Sequence, residues 1–141
     1  MNNMIKREKY LKRIRPFYEQ DLIKVITGIR RCGKSVILNQ IMDELRQSGV
    51  KDEKIIYINF EFTDYIDIND AKKFNDFIEK KLINKNKYYV FFDEIQNVDR
   101  WEKVVNSLKA KYNENISIFI TGSNSDLLSG ELATHIAGRY V

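Results

Sequence analysis

Four short and nearly continuous apolar runs constrain the fold of this chain more than any other feature. They lie at residues 22–27, 54–60, 88–92 and 116–121. Strands without polar alternation are typical of a parallel sheet that helices cover on both faces. The segments between the runs carry apolar residues at helical spacing, which supplies those helices. We therefore predict a three-layer α/β domain, and 141 residues are enough for one such domain.

Helical patterns precede, separate and follow the predicted strands. One helix follows Lys34, another covers residues 74–82, and a third begins near Trp101 with Asp99 and Glu102 as a capping box. A last helix is predicted over residues 125–137, which include His135. The first 18 residues are predicted to form a basic amphipathic helix, and residues 19–141 the core.

The net charge of +4 is concentrated at the N-terminus. Residues 1–15 hold six basic residues and one acidic residue, so they carry +5, whereas residues 16–141 carry −1. Nucleic-acid contact by this segment is one interpretation, and a solvated basic face is the other. One cysteine and one histidine argue against an internal disulfide and a Cys/His metal site. No apolar run has the length of a membrane span, so we predict a soluble cytoplasmic protein.

A phosphate-binding loop follows the first predicted strand. Its sequence, TGIRRCGKS, has a glycine, four residues and then Gly-Lys-Ser between a strand and a helix. Glycines allow backbone N–H groups to converge on a phosphate at a helix N-terminus, a lysine adds charge toward the β- and γ-phosphates, and a serine hydroxyl can bind Mg²⁺. We predict nucleotide contacts from Gly28, Ile29, Arg30, Arg31, Cys32, Gly33, Lys34, Ser35 and Val36.

Two carboxylates follow the third predicted strand in YYVFFDEI. At the end of the strand, Asp93 is suited to hold magnesium through water. Glu94 is then available to orient or deprotonate the water that attacks the γ-phosphate. An acidic turn without a ligand would be the better interpretation of this pair if the chain had no phosphate loop.

The fourth predicted strand ends in Thr121-Gly122-Ser123-Asn124-Ser125. A polar side chain at this position can reach an attacking water, and Ser123 or Asn124 is the predicted residue. The alternative is that these residues turn the chain and cap the last helix.

Together, GIRRCGKS, FFDEIQNVDRW, ITGSNSDLLSGE and GRY resemble the AAA+ ATPases. More narrowly, they resemble bacterial and archaeal ATPases with an AAA domain, often followed by a carboxy-terminal domain of unknown function. The resemblance implies a parallel sheet with strand order 5-1-4-3-2, ATP as substrate and Mg²⁺ as cofactor. It also implies that Lys34, Ser35, Asp93 and Glu94 perform the tasks described above.

The resemblance also places a fifth strand and a helical lid after Gly138-Arg139-Tyr140, close to the last residue, Val141. We therefore predict a core without its fifth strand, with the first strand unpaired along one edge. An unpaired edge favours self-association. Arg139 is similar in position to an AAA+ arginine that reaches the γ-phosphate of a neighbouring subunit, although a surface arginine explains it equally well.

The leading hypothesis is an ATPase that couples hydrolysis to movement of an attached domain or partner. A nucleotide-gated switch with slow turnover uses the same loop and stays open as an alternative. A DNA-associated remodelling ATPase rests only on the N-terminal charge. Glu94 argues against a small-molecule kinase, which needs no activated water.

Overall fold

The computed structural model describes residues 11–12, 14–19, 23–26, 31–83, 86–122 and 138–140, and for residues 31, 32 and 138–140 it describes the backbone alone. The strands and helices alternate along the chain. Their bounds are β1 Ile23–Ile26, α1 Arg31–Gln47, β2 Ile55–Asn59, α2 Ala71–Lys81, β3 Tyr88–Asp93, α3 Trp101–Tyr112, β4 Ile116–Thr121 and β5 Gly138–Tyr140. The predicted last helix over residues 125–137 lies outside the described residues.

The five strands form one sheet in the order β2-β3-β4-β1-β5, and every paired strand is parallel. This is the order that the family resemblance implied. The expectation that the fifth strand is missing was wrong, because Gly138–Tyr140 is itself that strand. It pairs with β1 through Ile23–Gly138, Lys24–Arg139 and Val25–Tyr140, so the edge of β1 is covered.

Alternate residues of the central strands supply two cores, one on each face of the sheet. Phe91 and Phe119 stack with ring centroids 4.5 Å apart in the cluster that contains Ile37, Leu38 and Ile41 of α1. On the opposite face, Phe92 packs against Phe74 of α2 at 4.9 Å, in the cluster that also holds the buried residues of α3. This confirms the three-layer prediction.

The N-terminal residues that the structure describes pack against α1. Leu11 and Ile14 are buried in the same cluster as the apolar face of α1. The Arg15 guanidinium makes a two-pronged contact with the Glu44 carboxylate, at 3.0 Å from Nε and 2.6 Å from Nη2. Within the described residues, no helix has both the length and the apolar character needed to cross a bilayer.

At two helix ends, the residues Arg100 and Gly49 have positive φ. The N-cap of α3 is Arg100, in a left-handed conformation and without a side-chain cap, so the predicted Asp99 cap was wrong. The backbone N–H of Asp99 instead donates to the carbonyl of Asn69, which ties the start of α3 to the start of α2. After α1, Gly49 adopts φ 107°, and Val50 N–H bonds to the Leu45 carbonyl at 3.0 Å, as in a Schellman ending.

Candidate nucleotide and magnesium site

Hydroxyl groups from three elements converge on the carboxylate of Asp93 at the end of β3. Ser35 Oγ, in α1, donates to Oδ2 at 2.6 Å, and Tyr57 Oη, in β2, donates to the same oxygen at 2.6 Å. Thr121 Oγ1, at the end of β4, donates to Oδ1. Asp93 is fully buried, and hydrogen bonds of this kind offset the cost of burying a polar group.

The sheet topology explains why these residues meet. Parallel strands end at the same edge of a sheet, and β3 lies between β2 and β4. Tyr57 pairs with Phe91 and Asn59 pairs with Asp93, so Tyr57, Phe91 and Asp93 share the face against which α1 packs. The fold thus brings the Ser35 hydroxyl of α1 to Asp93 and Glu94 at the carboxyl edge of the sheet. Ligands bind at this edge in open α/β sheets.

Glu94 follows Asp93 in a left-handed conformation, with φ 55° and ψ 50°. Such angles are uncommon for residues other than glycine and persist when neighbouring contacts fix them. Here the Glu94 N–H donates to Thr121 Oγ1 at 3.0 Å, and its carbonyl accepts from Asn97 Nδ2 at 3.1 Å. Gln96 Nε2 donates to Glu94 Oε1 at 2.9 Å. The carboxylate of Glu94 is therefore held in a defined place, with only 4% of the residue exposed.

The lysine of the phosphate loop is also held at this edge. Lys34 is 5% exposed, and its ammonium donates to the Gly122 carbonyl, just beyond β4, at 2.7 Å. Because α1 begins at Arg31, residues 31–34 form its first turn, whose N–H groups have no partner within the helix. Those N–H groups, the helix dipole and the Lys34 ammonium together favour an anion at the start of α1.

Beside these groups lies a cavity of about 430 Å³. Its lining includes Ser35, Tyr57 and Glu94, together with Asn39, Asn59, Glu61 and Phe62. A larger cavity of about 640 Å³ opens next to the turn that follows β2. Its lining contains none of Ser35, Tyr57 and Glu94, so the smaller cavity is the candidate site.

The donor set at Ser35 and Asp93 suits magnesium. Mg²⁺ prefers oxygen ligands, keeps several waters, and is usually bound through one or two carboxylates together with substrate phosphates. In the described part of the chain, no group of three or more His, Cys, Asp and Glu side chains is suited to hold a metal ion. A metal ion here would therefore need ligands from the nucleotide as well as from the protein.

Several predicted site residues lie wholly or partly outside what the structure describes. Gly28, Ile29 and Arg30 precede the described start of α1, and Ser123 and Asn124 follow the described end of β4. For Arg31, Cys32 and Arg139 only the backbone is described: the first two lie in α1 and Arg139 lies in β5. Gly33 and Val36 lie in the first turns of α1, Gly33 buried and Val36 partly exposed.

Three residues of the site were not predicted: Tyr57, Thr121 and Gln96. Tyr57 lies inside a predicted strand, and the period of two along β2 would have assigned it to the same face as Asn59. Thr121 begins the polar TGSN segment at the end of a predicted strand, but the sequence predicts a function only for Ser123 or Asn124 of that segment. Gln96 lies two residues after Glu94, and its contact depends on the left-handed turn, which no sequence signal indicated.

The sequence profile of the AAA domain family matches residues 20–141. The chain belongs to that family. The chain is 49% identical over 139 residues to an uncharacterized protein of Haemophilus influenzae, and this match covers 98% of the chain and 34% of that protein. It is 45% identical over 117 residues to an uncharacterized protein of Methanocaldococcus jannaschii, covering 83% of this chain and 24% of that protein. The chain thus spans about a third or less of the length of the curated relatives it matches.

Solved structures share the fold of this AAA domain. A DNA polymerase III gamma subunit-related protein of Thermotoga maritima matches 94% of this chain and 45% of its own, with a TM-score of 0.62 and 14% identity. Thermotoga maritima RuvB, as a T158V variant, matches 97% of this chain and 45% of its own, with a TM-score of 0.58 and 17% identity. These likenesses support an AAA+ P-loop ATPase core as the fold.

Proposed function

We propose that this AAA domain binds ATP with magnesium and hydrolyses it to ADP and phosphate. The observation that carries the proposal is the contact between Ser35 of the phosphate loop and Asp93 at the end of β3, 2.6 Å apart. The Ser35 hydroxyl is suited to bind a metal ion directly. The Asp93 carboxylate is suited to bind a water molecule that the metal holds. Glu94 follows directly and lines the same cavity.

In this proposal the loop residues 28–36 hold the phosphates of ATP. The N–H groups at the start of α1 face the negative charge, and the Lys34 ammonium leaves the Gly122 carbonyl for the β- and γ-phosphates. Ser35 and Asp93 hold the magnesium ion, which, when bound, neutralises charge on the phosphates. None of these groups reacts covalently, because phosphoryl transfer depends mainly on positioning and electrostatic stabilisation.

Glu94 is the proposed residue that orients or deprotonates the attacking water. A general base contributes roughly 10²- to 10⁴-fold to a rate, and its oxygen must stay within reach of the water. The Gln96 amide and the left-handed backbone of Glu94 support this, since they fix the carboxylate at the cavity. Asn124 is proposed to contact the same water from the end of β4.

The test is ATP turnover by the wild-type protein and by Glu94→Gln and Lys34→Ala. Glu94→Gln should lose roughly 10²-fold or more in turnover while it still binds ATP, because the amide cannot accept the proton. Lys34→Ala should lose ATP affinity as well. Glu102→Gln, the same chemical change on α3, is the matched control and should retain turnover. Equal activity in Glu94→Gln, Lys34→Ala and the wild type would contradict the proposal.

We also propose that hydrolysis moves an attached domain. Support comes from the curated relatives, in which the matched region is only 34% and 24% of the length. Limited proteolysis of the full-length protein with ADP and with a slowly hydrolysed ATP analogue tests this coupling. Different fragments in the two states would support it, and identical fragments would oppose it.

Arg139 is proposed to contact the γ-phosphate of ATP bound to a neighbouring subunit. Nucleic-acid contact and a cytoplasmic location stay predictions from the sequence.

A further inference from the structure

The fully buried carboxylate of Asp93 does not itself line the cavity. The lining contains Ser35 and Tyr57 instead, and both donate their hydroxyl protons to Asp93 Oδ2 at 2.6 Å. The Asp93 carboxylate is therefore separated from the cavity by two hydroxyl groups, each hydrogen-bonded to it. One of them, Ser35, already has a proposed function as a metal ligand, whereas Tyr57 has none.

We propose that Tyr57 is part of the magnesium site, where its phenol oxygen accepts a hydrogen bond from a metal-bound water while its proton stays on Asp93. This inference rests on the proposed function, because it concerns the same metal ion. Tyr57 is a positioning residue in this scheme, since it acts on the metal's water and on Asp93 and not on the reacting phosphate.

The hydrogen bond from Tyr57 to Asp93 determines whether the phenol can donate or accept toward the cavity. A phenol has one proton to donate and retains the capacity to accept. That proton is committed to Asp93, so toward the cavity Tyr57 can only accept, which suits a water whose oxygen binds a cation. Donation to a carboxylate also polarises a hydroxyl and strengthens it as an acceptor.

The phenol lies between the carboxylate and the cavity. Its oxygen is 2.6 Å from Asp93 Oδ2, and Tyr57 is one of the residues that line the cavity. A neutral phenol that bridges a carboxylate and a metal-bound water behaves as an outer-sphere partner. Removal of such partners typically costs about 10- to 100-fold in metal affinity.

A purely structural explanation is that Tyr57 only stabilises β2 by satisfying Asp93. The chain offers a matched comparison in Tyr89 of β3, which is likewise paired with a carboxylate: its hydroxyl donates to Glu19 at 2.6 and 2.7 Å. Tyr89 is not among the residues that line the cavity. Loss of either hydroxyl removes a carboxylate contact, but only the Tyr57 hydroxyl lies at the candidate metal site.

The experiment measures the affinity of the protein for a fluorescent ATP analogue, first in EDTA and then over a magnesium titration. For Tyr57→Phe we expect an affinity in EDTA within about twofold of the wild type, and a roughly tenfold higher magnesium concentration at the midpoint of the titration. Tyr89→Phe should match the wild type in both measurements. Thermal unfolding of both variants reports whether each remains folded.

Ser35→Ala and Asp93→Asn separate this inference from the proposed function. If these two variants lose the magnesium effect and Tyr57→Phe keeps the wild-type midpoint, the inference is overturned and the proposed magnesium site stands. If the wild type itself shows no magnesium effect on nucleotide affinity, both fail. A Tyr57→Phe protein that binds less tightly in EDTA to the same extent as in magnesium would also overturn the inference, because it would indicate a structural effect.

Discussion

Thr121 forms hydrogen bonds with both Asp93 and Glu94, the two acidic residues of the site. Its hydroxyl donates to Asp93 Oδ1 and accepts from the Glu94 N–H at 3.0 Å. Thr121 is fully buried, so no water can replace these bonds. A single hydroxyl thereby fixes the end of β3 and the left-handed turn that follows it.

We expect Thr121→Val, which keeps the shape and removes the hydroxyl, to destabilise the fold by about 1 to 3 kcal/mol, because the buried Glu94 N–H loses its acceptor. Turnover should fall as well, by about tenfold, which corresponds to roughly 1.4 kcal/mol of the barrier. Chemical denaturation and ATP turnover check the two effects.

Thr121→Ser is the matched control, since it retains the hydroxyl and loses one methyl group. It should cost about 1 kcal/mol in stability and retain turnover near the wild-type level. If the valine and serine variants have the same turnover, Thr121 does not act through its hydroxyl.

At the scale of elements, α2 and α3 are joined by a small polar cluster on the face remote from the site. The Glu79 carboxylate of α2 accepts from both the Lys111 ammonium and the Tyr112 hydroxyl of α3. These hydrogen bonds, led by that of Lys111, hold the pKa of Glu79 below its ordinary value. The bond to Glu79, with burial, raises the pKa of Tyr112 to about 12.

A lowered pKa in the folded state means that ionised Glu79 stabilises the fold above its unfolded pKa of about 4.3. This contribution is lost as pH falls from that value through the lower folded pKa. Glu79→Gln should therefore reduce the free energy of unfolding at pH 7 by about 0.5 to 1 kcal/mol, since the group is partly exposed to solvent. The difference from the wild type should shrink toward zero in acid.

Urea denaturation of both proteins at several pH values between about 3 and 7 tests this expectation. Asp64→Asn, an exposed carboxylate in the turn after β2, is the control and should change the free energy of unfolding by no more than about 0.5 kcal/mol. A Glu79→Gln effect of equal size at all pH values would contradict the electrostatic origin.

At the scale of the whole molecule, β5 changes the expectation about assembly. The sequence predicted an exposed edge on β1 and self-association through it. Because Gly138–Tyr140 pairs with that edge, the remaining described edges of the sheet belong to β2 and β5. Assembly through an unpaired β1 therefore has no basis in this fold.

Self-association for catalysis is a separate prediction and depends on Arg139, whose backbone pairs with Lys24. If Arg139 serves a neighbouring subunit, turnover per molecule should rise with protein concentration in parallel with the mass measured by light scattering. Arg139→Ala should lower turnover at high concentration by roughly 10³-fold, the lower range for such arginines, and leave the mass unchanged. Turnover that is independent of concentration, with a monomeric mass, would contradict this prediction.

Much of the fold could be predicted from the sequence because its signals are local. The run at residues 116–121 became β4 with the same bounds, and the ends of the other three predicted strands agree with the structure to within one residue. Buried strands between amphipathic helices can be predicted from the pattern of apolar residues alone, and that pattern is clear in this sequence. The glycine loop and the acidic pair were likewise found by their spacing and by the elements on either side.

The sequence by itself determined the alternation of strands and helices, the phosphate loop, and the position of Asp93 and Glu94 after β3. Only the tertiary structure decided that Tyr57 and Thr121 would donate to Asp93, that Glu94 would adopt a left-handed conformation, and that Gly138–Tyr140 would pair with β1. The physical reason is distance along the chain. Tyr57 lies 36 residues from Asp93 and Thr121 lies 28 residues from it. Their contacts exist only because the parallel strand order brings the ends of β2, β3 and β4 together.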